Sequence, residues 1–208
     1  MKSQQISKIL GIVLFLALAA FTNTNEGLNV IKSKKGFVFI FNDSVESFIL
    51  EISGKKFANV DPEELIFSID GQIIQFTVIP IYEFFSPNSP LDTLEQHFKF
   101  EIDFISKNYL SDIDELRPKM YTTKSNRRAF YWELALNVPP NDTSSETVVK
   151  QIYSTTNTDK FIIMLSSPIT RANNYRKCKK KILEAMLNVQ FSKNPYDVEK
   201  IRAYLKEK

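Results

Sequence analysis

The most suggestive spacing in the chain is a histidine four residues ahead of a carboxylate, His97 and Glu101. In a helix that spacing puts both side chains on one face. A base oriented by a carboxylate would use it, as would two ligands of a metal ion. So would a surface i,i+4 pair contributing about 0.2–0.5 kcal/mol. His97 stands beside Phe98 and off the apolar stripe of its segment, so the pattern places it at the surface. It is the single histidine. A hydrolase built on a Ser-His-Asp triad would therefore need His97, and no nucleophile can be singled out for it.

Other chemistry-bearing groups are few. Ser53-Gly54-Lys55-Lys56 has the Ser-x-x-Lys spacing of penicillin-recognising enzymes, but their Ser-Asp-Asn and Lys-Thr-Gly elements are missing. A turn explains these residues better. Cys178 is the one cysteine. Its neighbours Lys177 and Lys179 to Lys181 could lower the thiol pKa, but its place on an apolar helical face reads as a small buried hydrophobe. The acidic groups Asp61, Glu63, Glu64 and Asp112, Asp114, Glu115 lack the loop spacing of an EF-hand. With one His and one Cys, a His/Cys zinc cage is excluded. The five glycines form no phosphate-cradling loop, and no Gly-x-Ser-x-Gly occurs. No catalytic, metal or cofactor residues are assigned, and no cofactor is expected. Asn42-Asp43-Ser44 and Asn141-Asp142-Thr143 are glycosylation sequons.

The remaining feature is a run of cations: Arg171, Arg176, Lys177, Lys179, Lys180 and Lys181. It reads as a docking patch for an acidic protein, lipid head groups or a polyanion, or else as a solvated helix face. Residues 171–208 carry a net charge of +7.

The N-terminus sets a context for that patch. Lys2 and Lys8 precede an apolar run from Ile9 to Ala20, interrupted only by Gly11, and Ala17-Leu18-Ala19 offers a cleavage site. This is the secretory pattern, and it predicts a signal peptide over residues 1–19. The run is short of the ~20 apolar residues that a bilayer span needs. The exported chain then has 25 basic residues against 24 acidic, a balance that does not suggest nucleic-acid binding. One cysteine allows no internal disulfide, so stability must come from an ordinary core. Seventeen phenylalanines predict that this core is aromatic.

Residues 20–35 are polar and read as a flexible lead. A single α+β domain is expected over 36–191, with a helical extension over 192–208. Phe37–Phe41 and Val45–Ile52 have strand composition. Leu65–Ile69 and Gln72–Ile79 flank Asp70-Gly71, which suits a type I′ hairpin turn. Ser89 and Pro90 start a helix whose stripe is Leu91, Leu94, Phe98, Ile102, Ile105 and Tyr109, with Phe100 and Phe104 as a second line. The acidic segment Ser111–Lys119 reads as a loop. Arg128–Leu136, Val148–Thr155 and Lys160–Ser166 form an antiparallel meander. Phe130, Trp132 and Leu134 point to one side of it, with Tyr131 and Glu133 on the other. Thr170 caps a helix with Tyr175, Cys178, Ile182, Met186 and Val189 on one face, and Asn194-Pro195 opens a last short helix.

The helix from Pro90, the Arg128–Leu136 strand, the Val148–Ser166 hairpin and the closing helix through Met186–Phe191 together resemble the PsbP-like superfamily, which includes DcrB-like envelope proteins. The resemblance covers roughly residues 37–191. It lacks the Gly-Trp loop of the photosynthetic members. It implies an α+β fold in which a mainly antiparallel sheet is packed by a long central helix and a C-terminal helix, an α/β/α sandwich. It also implies an exported, periplasmic or extracellular, non-enzymatic binding or assembly module whose partner is another envelope or secreted protein. A carrier of a small apolar ligand, held among aromatics between sheet and helix, is the alternative; the His97 hydrolase is another.

Overall fold

The computed structural model describes residues 27–108, 116–136, 138–139 and 141–207. The expected signal peptide and the acidic residues Asp112, Asp114 and Glu115 lie outside the described residues.

The run Phe37–Phe41 is apolar at every position, and all six residues of strand β2 (Gly36–Phe41) are buried. A strand buried on both faces needs a layer on each side. Phe37, Phe39 and Phe41 turn inward, with Phe48, Leu50 and Ile52 of β3 (Ser47–Ser53) beside them. Val38 and Ile40 turn outward. With β1 (Leu28–Ser33) and β11 (Gln190–Ser192) these strands form a four-stranded antiparallel sheet in the order β1-β2-β3-β11. A seven-stranded sheet lies against its inner face. Its order is β4 (Phe57–Asp61), β5 (Ile66–Ile69), β6 (Gln72–Pro80), β10 (Phe161–Thr170), β9 (Val148–Asn157), β8 (Arg128–Ala135), β7 (Lys119–Thr122). Asp70 and Gly71 both adopt positive φ, 53° and 81°, as the hairpin turn between β5 and β6 requires.

The core between the sheets is aromatic. Phe39 stacks on Phe76 at 4.4 Å and meets Phe67 edge-on at 5.0 Å, while Phe37 lies 4.6 Å from Phe67. Each such pair adds about 0.5–1.5 kcal/mol beyond area burial. Helix α2 (Tyr175–Leu187) shares this core through Cys178, Ile182, Ala185 and Met186. Helix α1 (Thr93–Asn108) covers the opposite face of the seven-stranded sheet, over Phe130, Trp132, Leu134, Tyr153 and Ile162. Helix α3 (Val198–Glu207) lays Val198, Ile201 and Leu205 on Ile31, Val38 and Ile40, outside the smaller sheet.

The α/β/α sandwich with a long central helix is therefore corrected. Strand takes up 43% of the described residues and helix 23%, with eleven strands in two sheets and three short helices. The centre of the molecule is sheet against sheet, with α2 sharing that core and α1 and α3 covering the outer faces. In β2 the inner face, Phe37, Phe39 and Phe41, meets the seven-stranded sheet, and the outer face, Val38 and Ile40, meets α3.

The lead segment also differs from expectation. Leu28–Ser33 is a strand, paired with β2 from Leu28↔Phe41 to Ser33↔Gly36. Its Leu28 and Val30 join the inner core while Ile31 faces outward, so a short alternation was hidden among polar neighbours. Helix starts are later than expected. In α1 the cap is a reciprocal box: Glu95 N–H donates to Asp92 Oδ1 at 2.9 Å and Asp92 N–H to Glu95 Oε2 at 3.0 Å. In α2 the cap is Asn174, whose Oδ1 accepts from Lys177 N–H at 3.2 Å, rather than Thr170.

Candidate functional site: the cationic groove along α2

The cations of the basic run do not act alike. Lys179 turns inward. Its Nζ lies 4.6 Å over the Tyr131 ring and 3.6 Å from Glu133 Oε1. Glu133 also accepts hydrogen bonds from Lys150 Nζ and the Tyr175 hydroxyl. Burial alone would raise the Glu133 carboxyl, but the Lys150 and Tyr175 hydrogen bonds and the charges of both lysines hold it at about 2. Burial and the neighbouring Tyr175 and Glu133 push the Tyr131 hydroxyl far up. This cluster ties the first half of α2 to β8 and β9.

Lys181 is also structural. Its Nζ donates to Asp70 Oδ2 and to Ser53 O, each at 2.9 Å, joining α2 to the β5–β6 turn and the end of β3. Asp70 is held at about 2 by the Lys181 hydrogen bond and by the Lys56 and Lys55 amides. Gly54 fits against this corner: a Cβ there would stand 2.4 Å from Ile69 Cγ2 and 3.0 Å from Asp70 Oδ2. Ser53-Gly54-Lys55-Lys56 is thus a turn held by Asp70.

Lys180 is exposed and, among the described residues, makes a surface pair with Glu184 at 3.5 Å. Arg171 draws the Asp142 carboxyl down, after the Thr147 and Ser144 hydrogen bonds that dominate it. Arg176 and Lys177 are exposed, and among the described residues neither makes an ion pair. Both sit in the first turn of α2, which carries no acidic residue. The helix dipole is positive there, so cations are destabilising by about 0.3–1 kcal/mol each.

Lys177 and Lys180 line a groove of about 1220 Å³ that follows one side of α2. Its other walls include Asp70 in the β5–β6 turn and Lys124 in the turn between β7 and β8, with Glu184 further along the helix. Lys124 was not foreseen. Its exposed side chain comes from far away in sequence, and the Lys124 N–H anchors the turn by donating to Leu187 O at 2.8 Å. The six cations of the run thus separate into two that build the fold, Lys179 and Lys181, and four that face solvent, Arg171, Arg176, Lys177 and Lys180, and Lys124 joins the exposed group from outside the run.

His97 is corrected outright. It is 0% exposed, and Glu101 is 3% exposed, beneath α1. Their nearest atoms, Nε2 and Oε1, are 3.5 Å apart. The line Leu94, His97, Glu101, Ile105 is the centre of the inward face, with Phe98 and Ile102 on one flank and Phe104 on the other. The two apolar lines read from the sequence belong to one broad face, and the pair lies between them. Cys178 is buried, and burial outweighs Lys181 to push its thiol up. Asp61 accepts from the amides of Glu63 and Glu64, closing its own turn. No group of three or more His, Cys, Asp or Glu among the described residues could hold a metal ion. No helix among them is long and apolar enough to cross a membrane.

No protein-family model matches the chain, and no curated protein matches it.

Proposed function

We propose that this protein is an exported, non-catalytic binding module that seats an acidic segment of a protein partner in the groove along α2. The supporting observation is the placement of Arg176 and Lys177: exposed, without an internal counter-charge, and against the helix dipole. Residues that work against their own helix are explained by an anion outside the chain. The groove also presents Glu51, Asp70 and Glu184. These would repel the unbroken charge of a polyphosphate backbone but can pass between the spaced carboxylates of a peptide. The N-terminal pattern of Lys2, Lys8 and the apolar run Ile9 to Ala20 supports export.

The test is fluorescence anisotropy with a labelled, glutamate-rich decapeptide at low salt. The wild type should bind it, and the triple variant Lys124→Ala, Lys177→Ala, Lys180→Ala should bind at least tenfold more weakly. Equal binding by both proteins removes the reading. Lys179 and Lys181 are left in place because they hold the fold.

A further inference from the structure

The seven-stranded sheet is polar where α1 covers it. Gln151, Tyr153 and Thr155 alternate along β9 and pair with Leu134, Trp132 and Phe130 of β8, the residues beneath the helix. All three are at most 1% exposed. His97 and Glu101 meet this stripe from above. Trp132 stacks on Tyr153 at 5.1 Å and 11°, and the rings of Phe98 and His97 stand 5.3 and 6.2 Å from Trp132. Burial and the Glu101 charge together push the Tyr153 hydroxyl far up, which places that hydroxyl in the field of the carboxylate.

Nine buried side-chain N and O atoms among the described residues have no hydrogen-bond partner, and seven of them are here. They are both ring nitrogens of His97, whose Nε2 stands 3.5 Å from Glu101 Oε1 without making a hydrogen bond to it, Trp132 Nε1, both amide atoms of Gln151, Tyr153 OH and Thr155 Oγ1. Buried polar groups are almost always paired. Leaving one unpaired costs about 1–3 kcal/mol, so seven such atoms would offset most of the ~5–15 kcal/mol by which a domain is stable. Their clustering in one interface marks a site that a polar molecule completes.

The chemistry of the set narrows that molecule. Trp132 Nε1 only donates, Glu101 only accepts, Gln151 does both through separate atoms, and the Tyr153 and Thr155 hydroxyls do either. A cation would satisfy Glu101 but oppose the indole and amide N–H groups. An anion would meet Glu101 at close range. Hydroxyl groups, which donate and accept at once, suit every member, and the rings of Trp132, Tyr153 and Phe98 offer apolar walls for the carbons between them. We propose that the α1–sheet interface is an internal binding site for a small neutral polyol. Access requires α1 to lift, which its half-buried margin of Phe98, Ile102 and Phe104 permits at less cost than a fully buried one. This site is separate from the groove, on the opposite face of the larger sheet.

Trp132 is the single tryptophan, so its indole N–H gives one assignable resonance in a ¹⁵N-correlated NMR spectrum. The native protein is titrated with erythritol, xylitol and glucose. At least one should shift that resonance saturably, and Gln151→Leu and Thr155→Val should each weaken the response at least tenfold while the other amide signals keep their dispersion. If none of the three gives a saturable shift, water is the only hydroxyl partner of the site and the proposal fails. A shift of equal size and midpoint in both variants overturns it as well, since the response would then come from the bulk solution.

Discussion

Reversing the two cations at the start of α2 should stabilise the protein. Arg176→Glu with Lys177→Glu removes two positive charges from a helix start that has no acidic residue, and neither side chain gives up an ion pair. Each removal relieves about 0.3–1 kcal/mol, and each carboxylate gains a similar amount from the same dipole. Exposure and salt reduce the sum, so a net gain of about 1–2 kcal/mol is expected at low ionic strength, falling as salt is added. The Asn174 cap uses the Lys177 amide rather than its side chain, so it survives. Urea denaturation at neutral pH, in low salt and again in high salt, measures this: the midpoint rises with an unchanged slope. The same variant should lose the acidic decapeptide. Stability and binding moving in opposite directions is the signature of residues kept for an external partner. A loss of more than about 1 kcal/mol would mean that Arg176 and Lys177 support the fold, and the functional reading of the groove would lose its basis.

Other outcomes follow from the same structure. Glu133 has a folded pKa of about 2 against 4.5 unfolded. The unfolded chain thus binds the extra proton, and the stabilisation is fully present above pH 4.5 and lost as pH falls toward 2. Glu133→Gln should cost up to about 3 kcal/mol at pH 7 by the same shift, less what solvent screening removes, and should flatten the acid limb of a stability–pH curve. Asp92→Ala breaks the capping box of α1 and should cost about 1 kcal/mol in chemical denaturation, with a larger loss implicating its ion pair with Arg128. Phe39→Ala opens a cavity between the sheets and should cost about 3–5 kcal/mol in the same assay. N-terminal sequencing of the protein from its own compartment should begin at Ala20; a chain that retains Met1 would remove the export proposal.

The strands with clean alternation were legible. Arg128–Ala135 sends Phe130, Trp132 and Leu134 to one face and Tyr131 and Glu133 to the other, as its pattern predicts. The Asp70-Gly71 hairpin was equally plain because few residue pairs accept two positive φ angles. Short edge strands were not legible. β4 and β7 are mostly exposed and have no strong apolar period, since an edge at the periphery buries little. The second sheet was missed because β2 and β3 read as ordinary strands, and an apolar strand face looks the same whether a sheet or a helix covers it; β2 has one face of each kind.

The site was legible only in part. The basic run named the right helix but could not sort Lys179 and Lys181, whose partners Glu133 and Asp70 are distant in sequence. Lys124 had no local signal at all. His97 was assigned to the wrong side because its position was judged against the first apolar line alone, although the sequence also shows a second, Phe100 and Phe104. The angular midpoint between that line and Phe100–Phe104 would have placed it inward. The polar stripe Gln151, Tyr153, Thr155 was readable as an alternation in β9, but it has meaning only once α1 is known to cover it.

The most direct test of the groove is where the acidic decapeptide lands. Backbone amide shifts of the wild-type protein, recorded as the peptide is added, should change at Lys177, Cys178 and Lys180, at Lys124 and Ser125, and at Asp70–Gly71, and weaken with salt. Shifts confined to α3 or to the exposed face of α1, with those groove positions unmoved, would contradict the account.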